Sequence, residues 1–120
     1  MGNIRYYKGH SKRDKRQMIF KVYDKPQEKL LSDETYLIEA SAVEQTGIVY
    51  YISLEECELD HYVQKEISES EYECYSLIQH LLTEMFLHDY TGGFPREENV
   101  LRYTYELQWA TRNWLKEIGF

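Results

Sequence analysis

ELDHYVQKEISESEYECYSLIQHLLTEMFLH, residues 58–88, is the stretch whose reading decides the fold. Its pattern changes period partway along. From Tyr62 to Ile67 the side chains alternate, with Tyr62, Gln64 and Glu66 set against Val63, Lys65 and Ile67, so Glu58–Ile67 reads as a strand. Beyond Ser68, Cys74, Tyr75, Ile78, Leu81, Leu82 and Met85 recur at spacings of three and four and form one stripe on a helix. The switch lies at Ser68-Glu69-Ser70-Glu71. Ser68 is suited to cap the helix start, Glu71 completes a capping box, and the acids face the positive end of the helix dipole.

Upstream of this switch the chain keeps the strand period. Asn3–Tyr7, Gln17–Tyr23 (QMIFKVY), Glu34–Ala42 (ETYLIEASA) and Gly47–Leu54 (GIVYYISL) carry the branched and aromatic content of strands. Between them lie the polar run KGHSKRDKR (residues 8–16), the turn signal Asp24-Lys25-Pro26-Gln27 and the connection Glu44-Gln45-Thr46-Gly47. Downstream, Asp89–Pro95 (DYTGGFP) stops the first helix, because two glycines and a proline cannot continue it cheaply. A second helix follows at about 97–117, with Val100, Thr104, Leu107, Thr111, Trp114 and Ile118 on its expected core face.

Strands followed by helices predict an α+β fold: an antiparallel meander of four or five strands (residues 3–67) packed by two C-terminal helices at about 69–88 and 97–117. A chain of 120 residues, without repeat or linker, predicts a single domain over 1–120 with a basic N-terminal segment, 1–16. The apolar share of 42% is that of a globular chain, and the 12 tyrosines suit half-buried sheet faces and binding surfaces alike.

Charge is divided along the chain. Residues 1–16 carry Arg5, Lys8, Lys12, Arg13, Lys15 and Arg16 against Asp14 alone, whereas the whole chain has a net charge of −7. Everything beyond residue 16 is therefore strongly acidic, which disfavours nucleic acid and anionic membranes as partners and favours a protein with a basic surface. Cys57 and Cys74 form no disulfide framework and read as reduced thiols. The N-terminus MGNIRYYKGH lacks the apolar core of a signal peptide and no run is long enough to span a bilayer, so the expected location is cytoplasmic. No glycine-rich phosphate or dinucleotide turn is present, and no cofactor is expected.

Four constellations carry chemistry. His80, Glu84 and His88 lie four apart on the first helix, a spacing that suits a divalent metal, with Cys57, His61 or His10 as further donors. On a helical wheel His80 and Glu84 fall opposite the Ile78/Leu82/Met85 stripe, which places them on the solvent side. Cys57 and His61 lack the orienting group and oxyanion donor that nucleophilic catalysis requires, and Cys74 sits on the apolar stripe as a core residue. The acids Glu55, Glu56, Glu58, Asp60, Glu66, Glu69, Glu71 and Glu73 form a solvated negative patch suited to a basic protein surface. On the last helix Tyr105 and Trp109, flanked by Arg102, Arg112 and Lys116, lie opposite the core stripe and have the composition of a binding hot spot.

These readings converge on a small acidic protein-binding module rather than an enzyme. It would act as an inhibitor of immunity or phage anti-defence type, occluding a basic surface through Tyr105, Trp109, Arg112, Arg102, Glu56, Glu58 and Glu71, and would exist as a monomer or homodimer. The alternative is a metal-binding protein or metal-dependent enzyme using His80, Glu84 and His88. A second alternative is nucleic-acid binding through the basic segment 5–16, where Tyr6 and Tyr7 stand ready to stack on bases.

Overall fold

The structure is a computed structural model that describes residues 3–28, 35–42, 51–54, 56–91 and 97–119. The connection Glu44–Gly47, residue Glu55, the stop signal Gly92–Pro95 and the early part of Gly47–Leu54 lie outside these residues. The chain is α+β and divides into a sheet unit and a helical unit.

The sheet unit holds β1 (Arg5–Ser11), β2 (Gln17–Glu28), β3 (Thr35–Ala42), β4 (Tyr51–Leu54) and β5 (Tyr62–Ile67), with a 3₁₀ segment at Glu56–His61 ahead of β5. The order across the sheet is β4-β3-β2-β1-β5, every pair antiparallel. The first four strands form the expected meander, and β5 returns to lie on the free side of β1. β1 is thus an interior strand of the sheet.

β1 also runs longer than Asn3–Tyr7. Lys8–Ser11 continue the strand, and only Lys12–Arg16 form the hairpin tip. Ser11 N–H donates to the Arg16 carbonyl at 3.0 Å and Lys15 N–H to the Ser11 carbonyl at 2.9 Å. Lys15 takes a positive φ of 56° to close the turn. Asp14 accepts from Arg16 N–H at 3.1 Å, and this bond, with that from Ser11, holds its carboxyl below the ordinary value.

The turn signal Asp24–Gln27 lies inside β2 rather than ending it. Val22 pairs with Ile38, but the next pair is Gln27 with Tyr36, so the extra residues bulge out of the β2–β3 ladder. Pro26 explains this. It has no N–H to give the ladder, and the strand can regain pairing only beyond it.

Met18, Phe20, Val22, Ile38 and Ala40 are buried together, and Tyr7, Leu37, Leu54, Leu59 and Tyr62 pack against them. The register explains the cluster. Phe20 stands between Tyr7 on β1 and Ala40 on β3, so the largest ring has a small neighbour on one side. The Tyr62 ring meets it edge-on at 5.2 Å. Residues 58–61 were expected to begin the last strand but wind as 3₁₀ instead. The run ECELD has no β-branched residue to favour extension, and the coil brings Leu59 onto the core.

The helical unit holds α1 (Glu69–Thr91) and α2 (Glu97–Glu117). Ser68 caps α1 as its sequence predicts, its Oγ accepting from Glu71 N–H at 3.1 Å while its carbonyl accepts from Tyr72 N–H at 3.0 Å. The helices run antiparallel, and four side-chain pairs record the register. Ser70 Oγ donates to Glu117 Oε1 at 3.1 Å, Cys74 Sγ lies 3.8 Å from Thr111 Oγ1, the His80 ring lies 5.1 Å from that of Tyr103, and Asn99 Nδ2 donates to Glu84 Oε1 at 2.9 Å.

Candidate functional site

The α1–α2 register fixes which way α2 faces. Asn99, Tyr103 and Thr111 point to α1, and Ala110 is buried on the same side. Residues half a turn away must face outward. There Leu101, Tyr105 and Trp109 recur every four residues, and they are 57%, 67% and 59% exposed. Three large apolar side chains in one line on solvent form an exposed patch of the kind that marks interaction sites. The Arg112 guanidinium lies over the Trp109 ring at 5.3 Å, one turn further on. Arg102 turns the other way, over Tyr103 at 4.8 Å, and donates to its hydroxyl at 3.0 Å.

The rim of this stripe is mixed in charge. Glu98 and Glu106 are exposed beside its first half, and Arg112 and Lys116 beside its second. Of the expected core face, Val100, Leu107, Thr111 and Trp114 are half-buried, whereas Thr104 and Ile118 are exposed. Leu101 was missed by the sequence reading. It stands one turn before Tyr105 with the same spacing that joins Tyr105 to Trp109, and that spacing was the available signal.

Of the acidic partner candidates, Glu58 and Glu71 are half-buried, and the side chain of Glu56 lies outside the described residues. Asp60, Glu66, Glu69 and Glu73 are exposed. Cys57 is exposed and Cys74 buried, and neither forms a disulfide. Burial holds the Cys74 thiol above its ordinary value, the proton a buried thiol keeps.

The placement of His80 and Glu84 on the solvent side of α1 is wrong. Glu84 is 4% exposed and bonded to Asn99, and His80 is half-buried, with its ring against Tyr103 and Nδ1 2.6 Å from the Ser76 carbonyl. Ile78, assigned to the core stripe, is exposed. Glu84 is held toward α2 because Asn99 there offers it a donor, and a paired carboxylate tolerates burial. The side chain of His88 lies outside the described residues, and among those described no three His, Cys, Asp or Glu side chains are grouped to hold a metal.

The basic segment 5–16 is divided by the hairpin. Lys12, Arg13, Lys15 and Arg16 are exposed at or beside the tip, while Arg5 and Tyr7 lie on the core side of the sheet, in register with Val22 and Phe20. Tyr6 falls on the other side with Lys8 and His10. The two adjacent tyrosines therefore cannot stack on bases together. Comparison with protein-family models, curated protein sequences and solved structures finds no match to this chain.

Proposed function

We propose that this chain is a non-enzymatic protein-binding module whose contact surface is the outward face of α2 and whose partner is a protein with a basic surface. The observation that carries the reading is the line Leu101–Tyr105–Trp109, more than half exposed along its length, with Arg112 stacked on its last ring. Trp, Tyr and Arg dominate binding hot spots because they bury much area at little entropic cost. Arg112 over Trp109 also limits the freedom of both side chains before any partner arrives, which lowers the ordering cost of association.

The charge argues for the class of partner. All but one of the 21 acids lie beyond residue 16, and the net charge is −7. A field of that sign draws a basic protein at long range, and the aromatic stripe then supplies the short-range contact. Lysines or arginines of the partner would meet Glu98 and Glu106, and its carboxylates Arg112 and Lys116. A small acidic protein that covers a basic surface has the form of an inhibitor, of the immunity or anti-defence type, and that is the biological role this reading implies.

The test compares the intact chain with Tyr105→Ala/Trp109→Ala. Both residues are exposed, so the variant should keep the thermal unfolding of the parent. A basic protein captured from the native host by the intact chain, then purified, should bind it with a Kd at least about a hundredfold tighter than it binds the variant. Equal capture by both would overturn the assignment of this face. Sedimentation in which the isolated chain forms a stable dimer that the double variant abolishes would overturn it too, because the face would then be filled by a second copy.

A further inference from the structure

α2 meets α1 along one narrow seam and is open elsewhere. From Leu101 to Glu117 only Tyr103, Leu107, Ala110, Thr111 and Trp114 are not exposed. The opposite face carries more than its apolar line. On a helix that turns about 100° per residue, Glu98, Leu101, Trp109, Arg112 and Lys116 all fall within about 40° of Tyr105. All six are exposed, and they follow one another at spacings of three and four. The stripe is therefore about one side chain wide and, from Glu98 to Lys116, about 27 Å long.

That shape selects what can cover it. Two helices touch along such a line, because side chains three and four apart are what one helix presents to another. A sheet face or a loop spreads its contacts sideways, and here the flanks are polar. Arg102 and Glu106 stand on one side, Thr104 and Gln108 on the other, and Leu115 is the one apolar residue beside them.

The stripe is also ordered by charge, with an acid first, apolar residues in the middle and two bases last. This order fixes a direction. Helices favour acids at the N-terminus and bases at the C-terminus because of the macrodipole, and α2 itself has Glu97 and Glu98 in its first turn and Lys116 in its last. A partner helix of the same ordinary polarity, laid antiparallel, brings its acidic start to Arg112 and Lys116 and its basic end to Glu98. Laid parallel, it sets acid on acid and base on base. The pattern alone would admit a second copy of α2, but each copy carries a net charge of −7 and repels the other. A helix of a basic protein has the pattern without that repulsion.

Resting on the reading of this face as the contact surface, we infer that its occupant is a single amphipathic helix of the basic partner, packed antiparallel to α2. Its apolar residues cover Leu101, Tyr105 and Trp109. Acids of its first turn meet Arg112 and Lys116, and a base of its last turn meets Glu98.

The probe is a synthetic peptide of about 20 residues, long enough to follow the whole stripe. It carries leucines at spacings of three and four, glutamates in its first turn, an excess of lysines in its last two turns, and a nitroxide at its N-terminus. Titrated into the ¹⁵N-labelled full chain, it should give saturable amide shifts between Glu98 and Lys116, with broadening by the label concentrated at Arg112–Lys116. Tyr105→Ala/Trp109→Ala should weaken binding about tenfold or more, and Arg112→Glu/Lys116→Glu about fivefold. The same peptide with two central prolines keeps the charge but cannot form the helix, and it should bind about tenfold more weakly. No saturable shift up to about 1 mM peptide would overturn the inference, as would broadening at Glu98–Leu101 instead, or equal binding of the proline peptide. Failure of the face itself reads differently. If the intact chain captures a basic host protein that Tyr105→Ala/Trp109→Ala does not, while the peptide fails to bind, α2 remains the contact surface and only the helical occupant is overturned.

Discussion

Single residues carry several of the constraints in this fold, and Gly9 is the sharpest. A Cβ built on it would lie 2.1 Å from the Val63 carbonyl oxygen, closer than any real contact, so β1 and β5 meet there only because the side chain is absent. Gly9→Ala must push the two strands apart, and it should cost about 1–3 kcal/mol in urea unfolding, the usual range for overpacking. A variant as stable as the parent would mean that β5 does not lie as close to β1 as this register requires. Tyr23 is constrained by charge. Burial, reinforced by the Glu39 carboxylate that accepts its hydroxyl bond at 3.0 Å, holds the phenol well above its ordinary value. The folded state thus keeps a proton that the unfolded chain releases near pH 10, so the contribution is complete below that pH and is lost as pH rises above it. Tyr23→Phe should therefore lose less stability than the parent between neutral pH and pH 11, as read by urea midpoints. The two thiols should also separate. Exposed Cys57 should react with iodoacetamide in the native protein, while buried Cys74, its thiol held protonated, should react only on unfolding.

At the scale of elements, the start of α1 was legible in advance and the orientation of α1 was not. Ser68 and Glu71 announce the cap through local chemistry alone, and the observed bond from Glu71 N–H to Ser68 Oγ is that chemistry. Ser68→Ala should cost about 1 kcal/mol, while Ser68→Asp, which caps equally well, should leave the unfolding midpoint nearly unchanged. The faces of a helix can be read only when one of them is wet. For α2 that holds, and the exposed Tyr105 and Trp109 lie opposite the side that meets α1, as the spacing requires. α1 is different. Between Glu69 and Glu84 only Glu69, Glu73 and Ile78 are exposed, and polar Gln79 and Glu84 are among its most buried residues. A helix covered on most of its circumference has no polar face to separate from an apolar one, so the wheel put Glu84 in solvent and Ile78 in the core. The pairing of β5 with β1 was invisible for a related reason, because the two strands lie more than fifty positions apart in the chain and nothing local in either specifies that partner. Likewise the 3₁₀ segment was hidden because Leu59 needed to reach a core whose strands lie elsewhere in sequence.

Charge is a property of the whole molecule, and it links stability to the proposed function. With 21 acids against 14 lysines and arginines, the folded chain holds a net charge of −7 closer together than the unfolded chain does, and unfolding relieves the repulsion. The basic hairpin tip offsets it only locally, because Lys12, Arg13, Lys15 and Arg16 share one turn with Asp14, whose bonds are with Ser11 and Arg16. Salt should therefore stabilise the protein. Raising NaCl from about 10 mM to about 150 mM shortens the Debye length from about 30 Å to about 8 Å, which screens repulsion between distant carboxylates more than it weakens adjacent pairs. At pH 7 the urea midpoint should rise over this range. Near pH 5.1, where the net charge vanishes, the same addition should leave the midpoint flat or lower it, because the net repulsion is gone and attractive neighbours are screened at least as much as repulsive ones. A midpoint that falls with salt at pH 7 would show that the acids are already compensated by local partners. The net field would then be too weak to draw a basic protein toward the Tyr105/Trp109 face, and the long-range half of the proposed recognition would fall with it.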